Sequence, residues 1–377
     1  MRVLLVGVST RAMAQSAVAA GYEAVSLDFF GDSDQPSAAK VYALGRDFRL
    51  PLTYANLAKA VRQLVGGVDA VVLGSGVENE PALLEACNGV PVLGNTLEAI
   101  RGVRDLRGLR EALRSTRVVL PETCFAGAPL PKKGRWLVKE LNHSGGFGVK
   151  EWDGATPLRQ GQVLQRRLEG QLCSATFLAD GQQAVLLGLT RQYAGVSELG
   201  ASAFAWCGNV APLLFPELEA MLFDAANAIT SSFGLRGLNG IDFIVNEGTL
   251  ALLEVNPRYP GSVELLERVR SVNAFQLHVE ACQGHLPQLQ PISGWCQAWG
   301  KGILYARRTF CVGDTSGWME QDIADIPHEG EEITKGSPIC TLVASGNDLE
   351  DCWQNVLEKA GKLEKGHINL ANNNFSA

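Results

Sequence analysis

Two apolar runs with a short polar turn between them occupy residues 241–256. The runs read IDFIV and LALLEV, and Asn246-Glu247-Gly248-Thr249 separates them. Asn and Gly adopt the backbone conformations that tight turns need, so the pattern predicts an antiparallel hairpin. Such a turn also sets the register of its strands, and counting from it places Asp242 opposite residue 253 or 254.

Three oxygen-bearing side chains can therefore converge on one face of this hairpin: Asp242, Glu254 and Asn256. Glu254 and Asn256 share a face because side chains alternate along a strand. A carboxylate buried there needs a compensating cation or hydrogen-bond donor. Oxygen-only donors suit a hard cation such as Mg²⁺ (or Mn²⁺), and Mg²⁺ usually binds one or two carboxylates together with nucleotide phosphates. The alternative is a polar hairpin face that only contacts solvent.

A second polar feature is the run LVKELNHSGGFGVK at residues 137–150. Lys139 stands inside an apolar strand, where an ammonium group needs an anionic partner. The glycines that follow can let backbone N–H groups close over phosphates. The alternative is a glycine-rich hairpin turn without a ligand, and the spacing matches neither of the two common nucleotide-loop signatures. His143 in this loop is either catalytic or a passive hydrogen bonder.

Composition excludes several classes of protein. The net charge of −7 and the lack of a basic run with aromatics give no support for a nucleic-acid partner. No apolar stretch reaches the ~20 residues that a membrane span needs, and the N-terminal run is too short for a secretory signal. The nine cysteines form no C-x-x-C pair, which is typical of reduced thiols in a cytosol. We therefore expect a cytoplasmic protein.

Strands and helices alternate in the first hundred residues. Strand, turn and helix follow one another from residue 2 to Gly21, and further strands are predicted at 24–27, 69–73 and 91–95. This spacing predicts a doubly wound parallel sheet of the α/β class. Beyond it, helical periodicity marks three longer segments, at 97–113, 217–233 and 263–282.

The lysine strand, the glycine-rich loop and the pair Asp242 … Glu254-x-Asn256-Pro-Arg258, in this order, resemble the ATP-grasp superfamily over roughly residues 1–340. The resemblance implies three parts for the chain. They are a Rossmann-like N-terminal domain (1–97), a two-lobed ATP-grasp domain (98–290, with a lobe at 120–188 and a core at 189–290) and a small C-terminal β-rich closing domain (291–377).

The resemblance also implies how ATP and Mg²⁺ are bound. Lys139 contacts the α-phosphate, and the loop with Ser144, Gly145, Gly146 and Gly148 folds over the triphosphate. Mg²⁺ is held by Asp242, Glu254 and Asn256, and Arg258 faces the γ-phosphate or an acyl phosphate. The adenine and ribose lie against a segment in which glutamines replace the usual acids, with contacts from Gln165, Arg167, Leu168 and Gln171.

Further basic residues have roles that the resemblance leaves open. Either Arg104 or Arg107 of the linker helix serves the phosphates, and Arg104 is favoured. Arg191 faces the acceptor substrate, or it is a surface ion-pair partner, as the linker arginine can also be. Ser9-Thr10-Arg11 at a helix N-terminus holds an anionic substrate group, or its hydroxyls only cap the helix.

The segments 7–35, 303–308 and 326–346 resemble a branch of the superfamily described as ATP-dependent carboligases related to biotin carboxylase. Family chemistry implies that ATP converts a small carboxylate to an acyl phosphate, which an amine captures. One alternative is a biotin-carboxylase-type carboxylase, although the run after Arg258 does not match its general-base motif. Another is a non-catalytic nucleotide-binding regulator. A place in cofactor biosynthesis and a homodimer are also left open.

Overall fold

The computed structural model describes residues 1–76, 80–131, 133–141, 143, 145–292 and 296–365. Its N-terminal sheet is parallel, as predicted, with strand order β3-β2-β1-β4. The strands are β1 (Arg2–Val6), β2 (Glu23–Asp28), β3 (Lys40–Ala43) and β4 (Ala70–Leu73). The strand expected at 91–95 is reduced to a single bridge between Val71 and Val92.

Helices cover both faces of this sheet, which confirms the doubly wound arrangement. They are α1 (Arg11–Ala19), α2 (Leu44–Phe48), α3 (Tyr54–Leu64) and α4 (Ala82–Ala86). Val3 and Leu5 of β1 pack with the α1 side, whereas Leu4 and Val6 pack with α3. Because both faces are buried, the strand is apolar throughout rather than alternating.

A small antiparallel sheet follows, with strand order β5-β8-β6-β7. Its strands are β5 (Thr123–Phe125), β6 (Trp136–Glu140), β7 (Val149–Glu151) and β8 (Gln162–Arg166). The sheet ends at Arg166, so the predicted lobe boundary at 188 needs correction. The hairpin after Arg166 belongs to another sheet, because its first strand pairs with a later strand over ten residues, from Gln171 to Asp180.

That other sheet is antiparallel and has eight strands, in the order β13-β12-β9-β10-β11-β14-β18-β16. The first five in the chain are β9 (Gln171–Asp180), β10 (Ala184–Ala194), β11 (Trp206–Ala211), β12 (Arg236–Asn246) and β13 (Thr249–Asn256). The C-terminal strands β14 (Ala298–Tyr305), β16 (Ile323–Ala324) and β18 (Pro338–Gly346) extend the same sheet, while β15 (Phe310–Cys311) pairs with β17 (Glu332–Ile333). The expected C-terminal domain is therefore continuous with the central sheet.

Both faces of the central sheet are covered by helices. Phe177 of β9 packs on the side of α7 (Pro216–Phe233), and the next residue, Leu178, packs on the side of α9 (Ala274–Cys282). Helix α10 (Leu349–Leu363) covers the C-terminal strands. Among the described residues, no helix has the length and apolar composition needed to cross a membrane.

Two predicted helices are each divided by a local cap. The helix expected at 97–113 is split into α5 (Leu97–Arg104) and α6 (Leu106–Ala112), because the Asp105 side chain accepts hydrogen bonds from the backbone N–H groups of Arg107 and Gly108. The helix expected at 263–282 is split into α8 (Val263–Arg270) and α9. Ser271 adopts a left-handed conformation, and the side chain of Asn273 caps α9.

Candidate active site

A cavity of about 1190 Å³ lies where the three sheets meet, and most of the predicted site residues line it. Lys139 reaches it from β6 of the small sheet, and Asp242 and Glu254 reach it from β12 and β13 of the central sheet. The prediction that Lys139 and Glu254 face one common cleft is thus confirmed. Three strands from two sheets bring together an ammonium group and two carboxylates.

The hairpin register brings the predicted metal ligands together. Asp242 pairs with Glu254, one of the two predicted partners, and Gly240 pairs with Asn256. The register shifts by one residue just after Asp242, because Phe243 pairs with Leu252. This bulge leaves Leu253 unpaired, and bulges of this kind commonly redirect side chains next to functional sites.

Hydrogen bonds connect the polar side chains of this cluster. Asn256 Nδ2 donates to Asp242 Oδ2 at 2.9 Å, and Arg258 Nη2 donates to Asn256 Oδ1 at 3.0 Å. Burial raises the pKa of Asp242 well above its ordinary value, and the neighbouring charge of Glu254 raises it further. Two carboxylates this close together favour a bound cation.

Lys139 is the oppositely charged group across the cavity. Burial lowers the pKa of Lys139, whereas Glu254 and Asp242 act in the other direction by attracting its charged form. The ammonium group is thus removed from bulk water and held near a carboxylate pair. An anionic ligand between them would experience a positive charge on the Lys139 side, and a cation on the carboxylate side would complete the balance.

The glycine-rich loop borders the cavity through Gly145 and Gly146, whereas Gly148 lies outside the lining. Gly145, Gly146 and Gly148 have positive φ angles of 66°, 78° and 77°. A Cβ atom on Gly146 would lie 1.7 Å from the carbonyl oxygen of Phe204, so only glycine fits there. Ser144, the other predicted member of the loop, lies outside the described residues. His143 lines the cavity, and its role stays open.

The predicted adenine-binding segment is brought to the cavity in part. Gln165 is buried in β8, and Arg167 and Leu168 line the cavity beside it. The guanidinium of Arg167 contacts Glu151. Gln171 is exposed and lies outside the cavity lining. The next residue, Leu172, lines the cavity instead, because side chains alternate along β9.

The structure separates the other predicted arginines into two groups. Arg104 is half-buried and lines the cavity, whereas Arg107 is exposed and lies outside the lining. Arg191 is not brought to the cavity: its Nη1 lies 3.3 Å from Glu350 Oε2 of α10. Its neighbour in β10, Gln192, lines the cavity instead, again because side chains alternate.

Thr10 and Arg11 of the Ser9-Thr10-Arg11 segment contact carboxylates of the protein, and a role of the segment in holding an anionic substrate group stays a prediction. Thr10 donates through its hydroxyl and its backbone N–H to Asp28 Oδ2, at 2.7 and 2.9 Å, so the hydroxyl does not cap α1. Arg11 lies 2.8 Å from Glu264 Oε1 and 3.0 Å from Asp325 Oδ1. This buried arginine joins the N-terminal sheet to both later parts of the chain.

Sequence reasoning missed several polar residues on the cavity wall. Lys301 stands in the apolar run AWGKGILY and is 7% exposed, the same signal that singled out Lys139. Its Nζ lies 3.4 Å from Glu264 Oε2 and 5.8 Å from the centre of the Trp206 ring. Gln192 was missed because the prediction named its neighbour in β10, Arg191, as the residue that faces the acceptor substrate. Asp32 was missed because it lies in a polar loop after a strand, where a carboxylate is ordinary and does not indicate a site.

Comparison with known proteins identifies the domain type. The sequence profile of the ATP-grasp domain matches residues 103–262. An uncharacterized protein from Methanocaldococcus jannaschii is 22% identical over 387 aligned residues, which cover 97% of this chain and 93% of that protein.

Two solved structures share the fold over nearly the whole chain. The L-amino acid ligase from Bacillus licheniformis has a TM-score of 0.66 at 14% identity, covering 95% of this chain and 97% of that one. The biotin carboxylase domain of the 2-oxoglutarate carboxylase from Hydrogenobacter thermophilus, solved with MgADP, ADP and bicarbonate, has a TM-score of 0.67 at 15% identity, with coverages of 97% and 90%. Residues 103–262 therefore match the ATP-grasp domain, and the chain as a whole shares its fold with these two proteins.

Proposed function

We propose that this protein is a Mg²⁺-dependent ligase that uses ATP to activate a small carboxylate as an acyl phosphate and joins it to an amine. The observation that carries the proposal is the placement of Lys139 opposite Asp242 and Glu254 in one cavity between two sheets. This arrangement neutralises a triphosphate from one side and offers metal ligands on the other. It is what phosphoryl transfer requires of a protein.

The donor set fits Mg²⁺ bound together with phosphates. Asp242 and Glu254 supply carboxylate oxygens, and Asn256 supplies an amide oxygen. Among the described residues, no cluster of three or more His, Cys, Asp or Glu side chains has a geometry suited to a metal ion. Proteins usually hold Mg²⁺ with one or two carboxylates, and phosphate oxygens complete the coordination of the ion. When bound there, Mg²⁺ would neutralise charge on the phosphates during transfer.

The protein side chains would then divide the work. Lys139 binds the phosphate chain, and Arg258, held by Asn256, faces the transferred phosphoryl group and stabilises its charge. The substrate carboxylate attacks the γ-phosphorus, and the bond to the β–γ bridging oxygen breaks, which releases ADP. The amine then attacks the acyl carbon, forms the C–N bond and releases phosphate. The glycine-rich loop keeps water away from the acyl phosphate.

The carboxylase alternative receives less support from the residues after Arg258. Glu264 is the first carboxylate there, but it contacts Arg11 and Lys301. Burial alone would raise the pKa of Glu264, yet these two cations hold it well below its usual range. A carboxylate stabilised in this way is a weak general base. The alternative of a non-catalytic binder leaves the complete Asp/Glu/Asn set without a role.

ADP formation tests these three functions directly. Purified protein is incubated with MgATP and a matrix of small carboxylates and amines, and ADP is measured by a coupled assay. The ligase requires both a carboxylate and an amine for full activity and forms one ADP per amide bond. Bicarbonate dependence without an amine would point to the carboxylase. MgATP binding without ADP formation in any mixture would point to the regulator. Cytoplasmic localisation and a homodimer remain predictions.

A further inference from the structure

The cavity continues past the metal ligands, across the middle of the central sheet. Asp242 and Glu254 lie on β12 and β13 at one edge of this sheet, and the strand order then runs β9, β10, β11 and β14. Neighbouring strands lie about 4.8 Å apart, so β14 is roughly 19 Å from β12. This stretch of the cavity wall has no role in the proposed nucleotide site, so it can hold the organic substrate.

Lys301 of β14 places an ammonium group on this wall. It lines the cavity, and 8% of its side chain is accessible. An ammonium group has three N–H donors. Among the described residues, Glu264 Oε2 accepts one of them, at the long distance of 3.4 Å. Glu264 does not depend on that bond, because Arg11 Nη1 and Nη2 donate to its two oxygens at 2.8 and 3.2 Å. Lys301 therefore has donors left for an anionic ligand.

The ammonium group lies beside the turn that carries Arg258. A Cβ atom added to Gly261, three residues after Arg258, would lie 3.8 Å from Lys301 Nζ and 3.4 Å from the Trp206 ring. Arg258 also lines the cavity, and it is the residue proposed to face the transferred phosphoryl group. An anion between Lys301 and Arg258 is thus at the reacting end of the cavity.

Polar side chains connect Lys301 with the metal ligands along the same wall. Asn209 pairs with Lys301 in the sheet, and Ser174 pairs with Asp242. Asn209 Nδ2 donates to Ser174 Oγ at 3.3 Å, and both residues line the cavity. A carboxylate bound at Lys301 therefore has a polar surface between itself and the phosphates.

Apolar side chains lie on the other side of Lys301. Ile303 and Tyr305 follow it at two-residue spacing along β14, so the three side chains share a face. The centre of the Trp206 ring is 5.8 Å from Lys301 Nζ, and the Trp206 carbonyl oxygen accepts from the Tyr305 hydroxyl at 2.8 Å. Ile303 and Trp206 are only half-buried and line the cavity. Their open apolar surface favours a ligand with a hydrocarbon part.

We propose that Lys301 binds a carboxylate of the organic substrate, whose hydrocarbon part lies against Trp206, Ile303 and Tyr305. The inference rests on the proposed ligase function and narrows the substrate class to carboxylates with an apolar chain or ring. It places the carboxylate between Lys301 and Arg258, next to the transferred phosphoryl group. The competing explanation is that Lys301 serves only as an ion-pair partner of Glu264.

The experiment uses sodium butanoate and sodium hexanoate as probes and full-length wild-type, Lys301→Met and Lys335→Met proteins. Melting temperatures are recorded across each titration, with and without saturating MgADP. Sodium chloride and 1-hexanol control for ionic strength and for the chain without its charge. We expect a saturable rise for wild type with both carboxylates. Hexanoate should half-saturate at an about tenfold lower concentration, because each buried methylene tightens binding about fourfold.

Lys301→Met should raise the half-saturating concentration of both probes about tenfold or more, because a charged donor is lost. Methionine keeps most of the lysine stem, and Glu264 keeps its bonds to Arg11. Lys335→Met is the matched control, since Lys335 is exposed and lies outside the cavity lining. It changes the net charge equally and should keep the wild-type values.

Ile303→Ala tests the apolar wall independently of Lys301, and it decides the proposal even if Lys301→Met does not fold. This variant should weaken hexanoate binding more than butanoate binding. The proposal is overturned if Lys301→Met or Ile303→Ala binds both probes like wild type, or if hexanoate binds no better than butanoate. It is also overturned if 1-hexanol reproduces the hexanoate effect, or if MgADP displaces hexanoate, which would place the probe in the nucleotide site.

The titrations without nucleotide distinguish this proposal from the ligase function. MgADP that stabilises wild type, without a probe effect that depends on Lys301, overturns the carboxylate site alone. A wild-type protein that MgADP does not stabilise argues against the ligase function, whereas the probe titration still decides whether Lys301 binds a carboxylate. MgATP with hydroxylamine then identifies which carboxylate is bound. A carboxylate that ATP activates forms a hydroxamate with release of ADP and phosphate, whereas a second carboxylate on the amine substrate only binds.

Discussion

Single residues of the linker helices offer a matched pair for testing how the phosphates are bound. Arg104 lines the cavity, whereas Arg107 is exposed three residues later. We predict that Arg104→Ala weakens MgADP binding about 10- to 100-fold, as expected when a charged donor to a phosphate is lost. Arg107→Ala should leave binding unchanged. Isothermal titration calorimetry of both variants measures their affinity for MgADP. Equal losses of affinity would show that the summed positive charge of the linker helices, rather than a direct contact from Arg104, determines binding.

How far the site could be predicted depends on where its partners lie in the chain. The ligands Asp242, Glu254 and Asn256 belong to one hairpin, so strand alternation and turn chemistry were sufficient to bring them together. The ion pair between Arg11 and Glu264 joins residues 253 positions apart, and no local pattern records such a contact. The same holds for Asp32, whose neighbours come from the C-terminal part of the chain.

At the scale of elements, His278 joins α9 to the sheets on either side of it. Its Nδ1 accepts from the backbone N–H of Leu238 at 2.9 Å, and its Nε2 lies 3.0 Å from the Leu93 carbonyl oxygen. The second contact requires a proton on Nε2, so the buried ring is neutral. Burial lowers the pKa of His278 from 6.5 to about 4.

This depressed pKa predicts a loss of stability as the pH falls. Between about pH 6.5 and 4 the unfolded chain binds a proton that the folded protein rejects, so stability rises with pH across this window. His278 alone should therefore remove about 2 kcal/mol of unfolding free energy between pH 7 and pH 5. Urea unfolding of wild type and His278→Gln at both values measures the difference. A variant with the same pH dependence as wild type would show that other groups cause it.

Periodicity predicted the elements better than their interruptions. The helix at 217–233 and the hairpin at 241–256 were confirmed, since apolar spacing and turn residues define them. The breaks at Asp105 and Ser271 were missed, because a side chain that caps a helix leaves the apolar spacing intact on both sides. The lobe boundary at 188 was misplaced for a different reason: a hairpin does not reveal which sheet it joins.

For the whole molecule, the position of the cavity between three sheets predicts that a bound nucleotide stabilises the entire chain. A ligand at about 100 times its dissociation constant adds about 2.7 kcal/mol to the unfolding free energy. We expect this gain with MgADP and a much smaller one with ADP plus EDTA, because the carboxylates of Asp242 and Glu254 repel the nucleotide without a metal ion. Denaturant unfolding under both conditions checks this, and equal gains would contradict a metal-dependent site.

We propose that Glu254 serves a Mg²⁺–nucleotide site rather than the protein core. Glu254→Ala should lower Mg²⁺-dependent ADP formation about a thousandfold or more, with a melting temperature close to that of wild type. Glu247→Ala in the exposed turn of the same hairpin is the control and should retain activity. If Glu254 instead holds the fold through a buried ion pair, its removal should cost ~3–5 kcal/mol of stability. A Glu254→Ala protein that melts far below wild type, yet still forms ADP when kept cold, would contradict a role for Glu254 in binding Mg²⁺.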